Sequence, residues 1–242
     1  MSGTGGRRLG IGTFIALGVA FLILVALGTW QVERLQWKEG LIADIQARRT
    51  AQPITAEQAA AMVARGEDVD YRAISITGHF DNSKERYFLA TLDGAPGFYV
   101  YAPLTLADQK IIFVNRGFVP DELKDAAKRK RGELEGEVTV TGLARAKLAN
   151  KPSFMVPDND PAKNMFFWKD MDVMATSAGL DKAKVLSFFV DAGPAPNPGG
   201  FPIGGVTQID LPNNHLGYAV TWYGLAAALV VIAALAMRRK PR

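Results

Sequence analysis

A polar region gives way to an apolar run within the stretch Leu211-Pro212-Asn213-Asn214-His215-Leu216-Gly217-Tyr218-Ala219-Val220-Thr221-Trp222-Tyr223-Gly224. It holds one of the two histidines of the chain. Residues three, four and seven positions apart share one side of a helix, so a helix beginning near Asn214 places His215, Tyr218 and Trp222 on one face. Tyr223, about 100° further round, is predicted to face elsewhere. An imidazole above an aromatic ladder suits a flat aromatic cofactor.

Two uncharged apolar runs lie near the ends of the chain, from about Leu9 to Trp30 and from about Tyr218 to Met237. A helix of roughly 20 residues crosses a hydrocarbon core of about 30 Å, so both runs are predicted to span a membrane. The alternative for the first run is a cleaved signal peptide. The run is longer than the apolar core of about 7–15 residues in such peptides, and helical periodicity continues beyond it.

The basic residues are concentrated at the two ends. Six of the 28 Lys and Arg residues and none of the 24 acids lie in residues 1–30 and 216–242, which leaves 22 bases against 24 acids between them. The net charge of +4 therefore belongs to the tails and gives no indication of a nucleic-acid partner. Basic flanks predict that both termini are cytoplasmic and the central segment periplasmic, in a bacterial inner membrane. The predicted division is a cytoplasmic tail (1–8), a transmembrane helix (9–30), a periplasmic mostly-β domain (31–215), a second transmembrane helix (216–237) and a cytoplasmic tail (238–242).

From Tyr71 the apolar period changes to two residues, which indicates strands. Eight are predicted: 71–78, 86–91, 98–106, 110–119, 137–146, 164–169, 185–191 and 207–211, with a hairpin across Ala107-Asp108-Gln109. Short helices are predicted from a capping box at Thr55 and Gln58 to Gly66, and from Asp172 to Ala178. The predicted fold class is an α+β membrane protein, in which two transmembrane helices flank a mostly antiparallel β barrel or sandwich with a few short helices.

The sequence lacks the usual signatures of catalysis. It contains no Gly-x-Ser-x-Gly elbow, no His-Glu-x-x-His, no P-loop, no dinucleotide fingerprint and no cysteine, so we predict that the chain is not an enzyme. His79 is interpreted as a hydrogen-bonded structural histidine. The run Lys128–Arg131 is interpreted as a solvated turn, with contact to lipid headgroups or to a partner as the alternative.

His215 is the candidate ligand. Neutral imidazole coordinates iron, and the N-terminal mouth of a membrane helix favours that form. Haem needs an axial nitrogen, aromatic walls and basic groups near its propionates. His215, Tyr218 and Trp222 meet the first two needs, and Arg34 or Lys38 meets the third. The predicted binding residues are His215, which is also the metal ligand, with Tyr218, Trp222, Trp30 and Arg34. The alternative is an interfacial histidine that caps the helix beside an aromatic belt, which also accounts for Trp30 and Trp37.

Three motifs occur in order along the chain: Gly28-Thr29-Trp30-Gln31 with Arg34-Leu35 and Trp37-Lys38, then Val114-Asn115-Arg116-Gly117-Phe118-Val119-Pro120, then Pro212-Asn213-Asn214-His215 with Tyr218-Ala219 and Thr221-Trp222-Tyr223. With these motifs the chain resembles the surfeit-locus protein one family, the assembly factors of cytochrome c oxidase. The layout of two spans around one large domain is similar as well. Phe118 departs from the pattern, since tryptophan is more often expected there.

The resemblance implies that the chain binds haem a through His215 and assists insertion of the haem a3 centre into oxidase subunit I. It leaves open whether haem is handed over or subunit I is only stabilised. The implied partners are subunit I, haem a synthase and membrane lipid. The alternative is a membrane-tethered periplasmic sensor, or a structural partner that stabilises a membrane complex without binding haem.

Overall fold

The computed structural model describes residues 10–207 and 211–238. The chain divides into a helical unit, Met1–Asp44 with Asp210–Arg242, and a barrel unit, Ile45–Ile209. Most of the strand predicted at 207–211 lies outside the described residues, as do the basic residues at positions 7, 8, 239, 240 and 242.

Four α-helices are present: α1 (Ile11–Thr50), α2 (Ala56–Ala64), α3 (Met171–Ser177) and α4 (His215–Arg238). By length and composition, α1 and α4 are both able to cross a membrane, which fits a membrane protein. The predicted continuation of the first helix beyond Trp30 is confirmed, because α1 is unbroken to Thr50. The predicted capping box at α2 is also confirmed: the Thr55 side chain accepts from the Gln58 N–H, and the Gln58 side chain accepts from the Thr55 N–H.

Six strands form one sheet: β1 (Ala73–Phe80), β2 (Arg86–Leu92), β3 (Ala95–Leu106), β4 (Ile111–Pro120), β5 (Glu137–Ala146) and β6 (Val185–Ala192). Their order is β1-β5-β6-β4-β3-β2, and β1 also pairs with β3. This second pairing closes β1, β5, β6, β4 and β3 into a five-stranded barrel. Strand β2 pairs with the first half of β3 outside that ring. The predicted fold class is thereby confirmed.

Strand β4 is at the centre of the hydrophobic core, and its residues from Ile111 to Val119 are all buried. Its side chains alternate between two clusters. Ile112 and Val114 join a cluster that includes the buried residues of α2, whereas Phe113 joins a cluster that includes those of α3. Because both faces of β4 are covered, the residues from Ile111 to Val114 are all apolar rather than alternating.

One predicted strand needs correction, and one strand pair departs from the predicted antiparallel pattern. The segment 164–169 is not a strand, because in it only Phe166 pairs with a strand, through a single bridge to Phe88. Asn164 has a left-handed backbone (φ 50°) and Met165 pairs back onto Asp160, so the segment forms a turn that buries Phe166. The sheet is mostly antiparallel, but β4 and β6 are parallel. The long connection between these two strands makes this possible.

The run Lys128–Arg131 is exposed as interpreted at Lys128, Lys130 and Arg131, but not at Arg129. Arg129 is only 5% exposed, in a 3₁₀ segment over Ala126–Gly132. Its two terminal nitrogens donate to the two carboxylate oxygens of Glu85, and its Nε donates to the Leu123 carbonyl at 3.0 Å. His79 also differs from its interpretation. It is exposed, and no side-chain hydrogen bond is found for it among the described residues.

Candidate functional site

The candidate site lies where α1 and α4 pack together within the helical unit. Gly28 contacts Tyr223, and the later residue Gln31 contacts the earlier residue His215. The two helices are therefore antiparallel. Covered residues recur at alternating steps of three and four, as in a coiled-coil seam. These seam residues are Leu17, Phe21, Leu24, Gly28, Gln31, Leu35 and Lys38 on α1 and His215, Ala219, Trp222, Ala226, Leu229 and Ala233 on α4.

A small residue and a hydrogen bond bring the two helices close together. A Cβ atom on Gly28 would lie 2.9 Å from the ring of Tyr223, so only glycine fits without displacing that ring. The Tyr223 hydroxyl lies 3.0 Å from Oγ1 of Thr29. Because the Thr29 hydroxyl donates to the Val25 carbonyl, the Tyr223 hydroxyl is the donor to Thr29. Tyr223 thus contacts α1 on the flank of the seam that carries Thr29. Gly28, Thr29 and Tyr223 are called the tyrosine clasp below.

The seam includes a polar contact between the two helices at the first residue of α4. Nδ1 of His215 lies 2.6 Å from Oε1 of Gln31. An amide oxygen only accepts, so Nδ1 carries the proton and donates it. Gln31 is only 8% exposed, whereas His215 is half-buried. Gln31 was not among the predicted site residues, although its spacing from Gly28 and Leu35 places a polar side chain in an otherwise small and apolar stripe. That spacing is the signal from which it could have been found.

The predicted aromatic ladder is divided between two environments. Trp222 is half-buried on the seam, two turns along α4 from His215. Tyr218 is 57% exposed beside the seam. On α1, Trp30 is 50% exposed, and the exposed Arg34 places its guanidinium carbon 4.4 Å from the centre of the Trp37 ring. His215 and Trp222 therefore share the seam, while the other predicted residues lie outside it.

Helical rotation shows which of these residues lie on the same flank. Each residue turns about 100°, and for antiparallel helices the same sense of rotation from the seam leads to the same side. Thr29 and Tyr223 lie on one flank, in agreement with their contact. Arg34 lies about 90° and Tyr218 about 70° from the seam in the opposite sense. The flank away from the tyrosine clasp is thus bordered by an aromatic ring and a cation.

This arrangement suits a planar ligand that needs one axial nitrogen. Among the described residues, no group of three or more His, Cys, Asp and Glu side chains could hold a metal ion. The helical unit instead offers one imidazole, an indole on the same seam and a basic residue one turn beyond Gln31. Haem requires this combination of groups.

The second of the three motifs, residues 114–120, lies in β4 of the barrel, where its polar residues make structural hydrogen bonds. Asn115 donates to the buried Asp191 at 3.1 Å and accepts from the Gly117 N–H at 3.1 Å. Asp191 also accepts from Arg145 at 3.2 Å and from Thr207 at 2.9 Å. These bonds tie β4 to β5, to β6 and to the chain beyond them, so the motif stabilises the fold.

Two further residues of this motif have structural contacts. Arg116 is buried, with its guanidinium over the Phe80 ring at 4.8 Å and a donor bond to the Gly132 carbonyl. Phe118 meets the ring of Tyr99 edge-on at 6.4 Å, so an aromatic contact exists at the position where tryptophan was expected.

Comparison with known proteins gives a consistent result over most of the chain. The family model described as "SURF1 family" matches residues 18–227. Surfeit locus protein 1 of Rattus norvegicus is 37% identical over 219 residues, which cover 84% of this chain and 68% of that protein. The protein of the same name from Homo sapiens is 36% identical over 84% of this chain and 70% of its own length. The one from Takifugu rubripes is 36% identical over 86% of this chain and 92% of its own length. The matched range contains the whole barrel, most of α1 and the first half of α4.

Proposed function

Because this chain belongs to the SURF1 family, a family of cytochrome c oxidase assembly factors, we propose that it binds haem a through His215 and assists insertion of the haem a3 centre into oxidase subunit I. The observation that carries the proposal is the position of His215. It stands on the two-helix seam at the first residue of α4, with Nδ1 bonded to Gln31 and Trp222 on the same side of its helix. A ring held in this way has one nitrogen left for a ligand.

The groups around His215 fit the needs of haem. Trp222 and Tyr218 offer aromatic surface, and Arg34 and Lys38 follow Gln31 by one and two helical turns. Basic side chains at the end of an apolar span can pair with propionates while the macrocycle stays among apolar groups. When bound, haem supplies an iron centre with an open coordination position.

A single protein ligand agrees with a role in assembly, because a factor that assists insertion must also release what it holds. His79, the other histidine of the chain, belongs to the barrel unit. The helical unit therefore offers one imidazole bond supported by aromatic packing. Stronger interactions between haem and the oxidase can replace them.

The proposal includes a location and partners. From the basic tails we propose that both termini are cytoplasmic and the barrel periplasmic, with the two spans in a bacterial inner membrane. The proposed partners are oxidase subunit I, haem a synthase and the surrounding lipid. We propose no catalytic step for this chain.

The test is an absorption spectrum of the chain purified from a host that makes haem a. We expect a Soret band and the red-shifted α-band of a formyl haem. His215→Ala removes the iron bond and should lose most of the haem, while alanine still suits the helix. Trp222→Ala removes one wall and should weaken retention by about 1–3 kcal/mol.

His79→Ala is the matched control, because it removes the other histidine and should leave haem occupancy unchanged. Full occupancy in His215→Ala would show that His215 is not the ligand. If the unmodified chain carries no haem and His215→Ala still supports oxidase assembly, the chain is instead a structural partner of the oxidase.

A further inference from the structure

We propose that Gln31 is a positioning residue of the haem site, which holds His215 as the Nδ1–H tautomer and keeps the Nε2 lone pair for iron. The inference rests on the proposed function for its ligand. Its geometry rests on the 2.6 Å contact between Nδ1 of His215 and Oε1 of Gln31.

The hydrogen bond fixes the tautomer. A neutral imidazole has one nitrogen that donates and one that accepts. Since the amide oxygen of Gln31 only accepts, the proton lies on Nδ1 and the lone pair on Nε2. Without a partner, a histidine side chain prefers the opposite tautomer, in which Nε2 carries the proton. Gln31 therefore selects the form that can bind iron through Nε2.

Such a contact also strengthens the ligand. Histidines that bind metals almost always donate their other N–H to an acceptor, which fixes the ring orientation and raises the basicity of the bound nitrogen. Gln31 is in place to do this for His215 from the neighbouring helix. The ligand would then depend on the pairing of α1 with α4, because neither helix supplies both groups.

The competing explanation is that this bond only holds the helices together. The tyrosine clasp provides a direct comparison, because its hydrogen bond of 3.0 Å from Tyr223 to Thr29 joins the same two helices on the other flank. If both bonds act only in pairing, removing either should have the same kind of effect. If Gln31 positions His215, only its removal should change the imidazole.

The first measurement needs no haem. The full chain in nanodiscs is labelled with ¹⁵N-histidine in a His79→Gln background, so that His215 is the only histidine left. We expect nitrogen shifts of the Nδ1–H tautomer in the Gln31 protein. Gln31→Leu should move them toward the Nε2–H tautomer, and Tyr223→Phe should leave them unchanged.

The second measurement uses haem a titrated into the same proteins. Gln31→Leu should raise the haem Kd by about 10–100-fold, as loss of a partner behind a ligand typically does. Gln31→Glu should restore binding and lower the reduction potential of the iron, because a carboxylate accepts more strongly than an amide. Tyr223→Phe should leave the potential unchanged.

The outcomes separate this inference from the proposed function. If His215→Ala loses haem but Gln31→Leu matches Tyr223→Phe in tautomer, Kd and potential, the inference is overturned and the function stands. If the unmodified chain binds no haem, the function fails and the role of Gln31 toward iron fails with it. The tautomer measurement then decides whether Gln31 controls the ring in the free protein.

Discussion

Glu85→Gln removes the carboxylate that accepts both terminal nitrogens of the buried Arg129. The same carboxylate lies 3.8 Å from a terminal nitrogen of the buried Arg116 and accepts the Tyr87 hydroxyl at 2.8 Å. Burial tends to lower the pKa of both arginines, but the hydrogen bonds to Glu85 raise the pKa of Arg129 overall. The pKa of Arg116, which has no such short bond to Glu85, is lowered. Glutamine keeps the size of the side chain but leaves both cations without this anion.

The expected loss of stability follows from burial. Breaking a buried ion pair by removing one partner costs about 3–5 kcal/mol of unfolding free energy, because the remaining charge is left without compensation. Arg129→Met should cost less than Glu85→Gln, since Glu85 would keep Tyr87 and Arg116. The two changes together should show a coupling energy of about 2 kcal/mol.

The measurement is chemical denaturation of the full chain in detergent micelles, followed by the circular dichroism of the strands. The control is Glu67→Gln, which breaks an exposed pair with Arg65 at 2.5 Å and should cause no measurable change. A loss below about 1 kcal/mol for Glu85→Gln would refute the argument that burial, rather than distance, sets the strength of these pairs.

Three further predictions concern pH, the tyrosine clasp and topology. Burial raises the pKa of three barrel tyrosines, Tyr87, Tyr99 and Tyr101. The unfolded chain should therefore release these protons first, so the free energy of unfolding should fall as the pH rises above about 10. A tyrosinate absorbance titration with parallel unfolding measurements checks this. Gly28→Val should displace the Tyr223 ring and change the near-ultraviolet circular dichroism. Gly18→Val should not, because a Cβ there meets nothing within 4 Å. Alkaline phosphatase fused after Gly136 should be active and after Arg242 inactive, and the reverse result would contradict the proposed orientation.

Local patterns predicted most of the barrel. The strand predicted at 137–146 has the bounds of β5, and the capping box at Thr55 was read correctly from two residues. Both depend on neighbours in the sequence, which is why they could be predicted. The segment 164–169 has the composition of a strand, but the turn at Asn164 lets only Phe166 pair with a strand. Composition does not reveal such a turn.

Long-range contacts account for the other differences. Arg129 looks like part of a solvated run because its partner Glu85 is 44 residues away in the sequence. The bond between Gln31 and His215 joins residues 184 positions apart. His215 could be singled out from the sequence because it lies at the start of a predicted helix. The residue that Gln31 contacts could not be identified in this way. The side of α4 that faces α1 carries His215 and Trp222, and this packing leaves Tyr218 exposed beside it.

The closed barrel makes the order of synthesis important. Strand β6 pairs with β4 on one side and β5 on the other, and it is the last of the six strands to be made. Until Ala192 has left the ribosome, the growing chain can form at most an open sheet with β4 and β5 as bare edges. Strand β4 is rich in apolar residues, and as an exposed edge it could pair with a strand of another molecule. A premature stop between β5 and β6 should therefore give an aggregating product in the insoluble fraction rather than a shortened barrel.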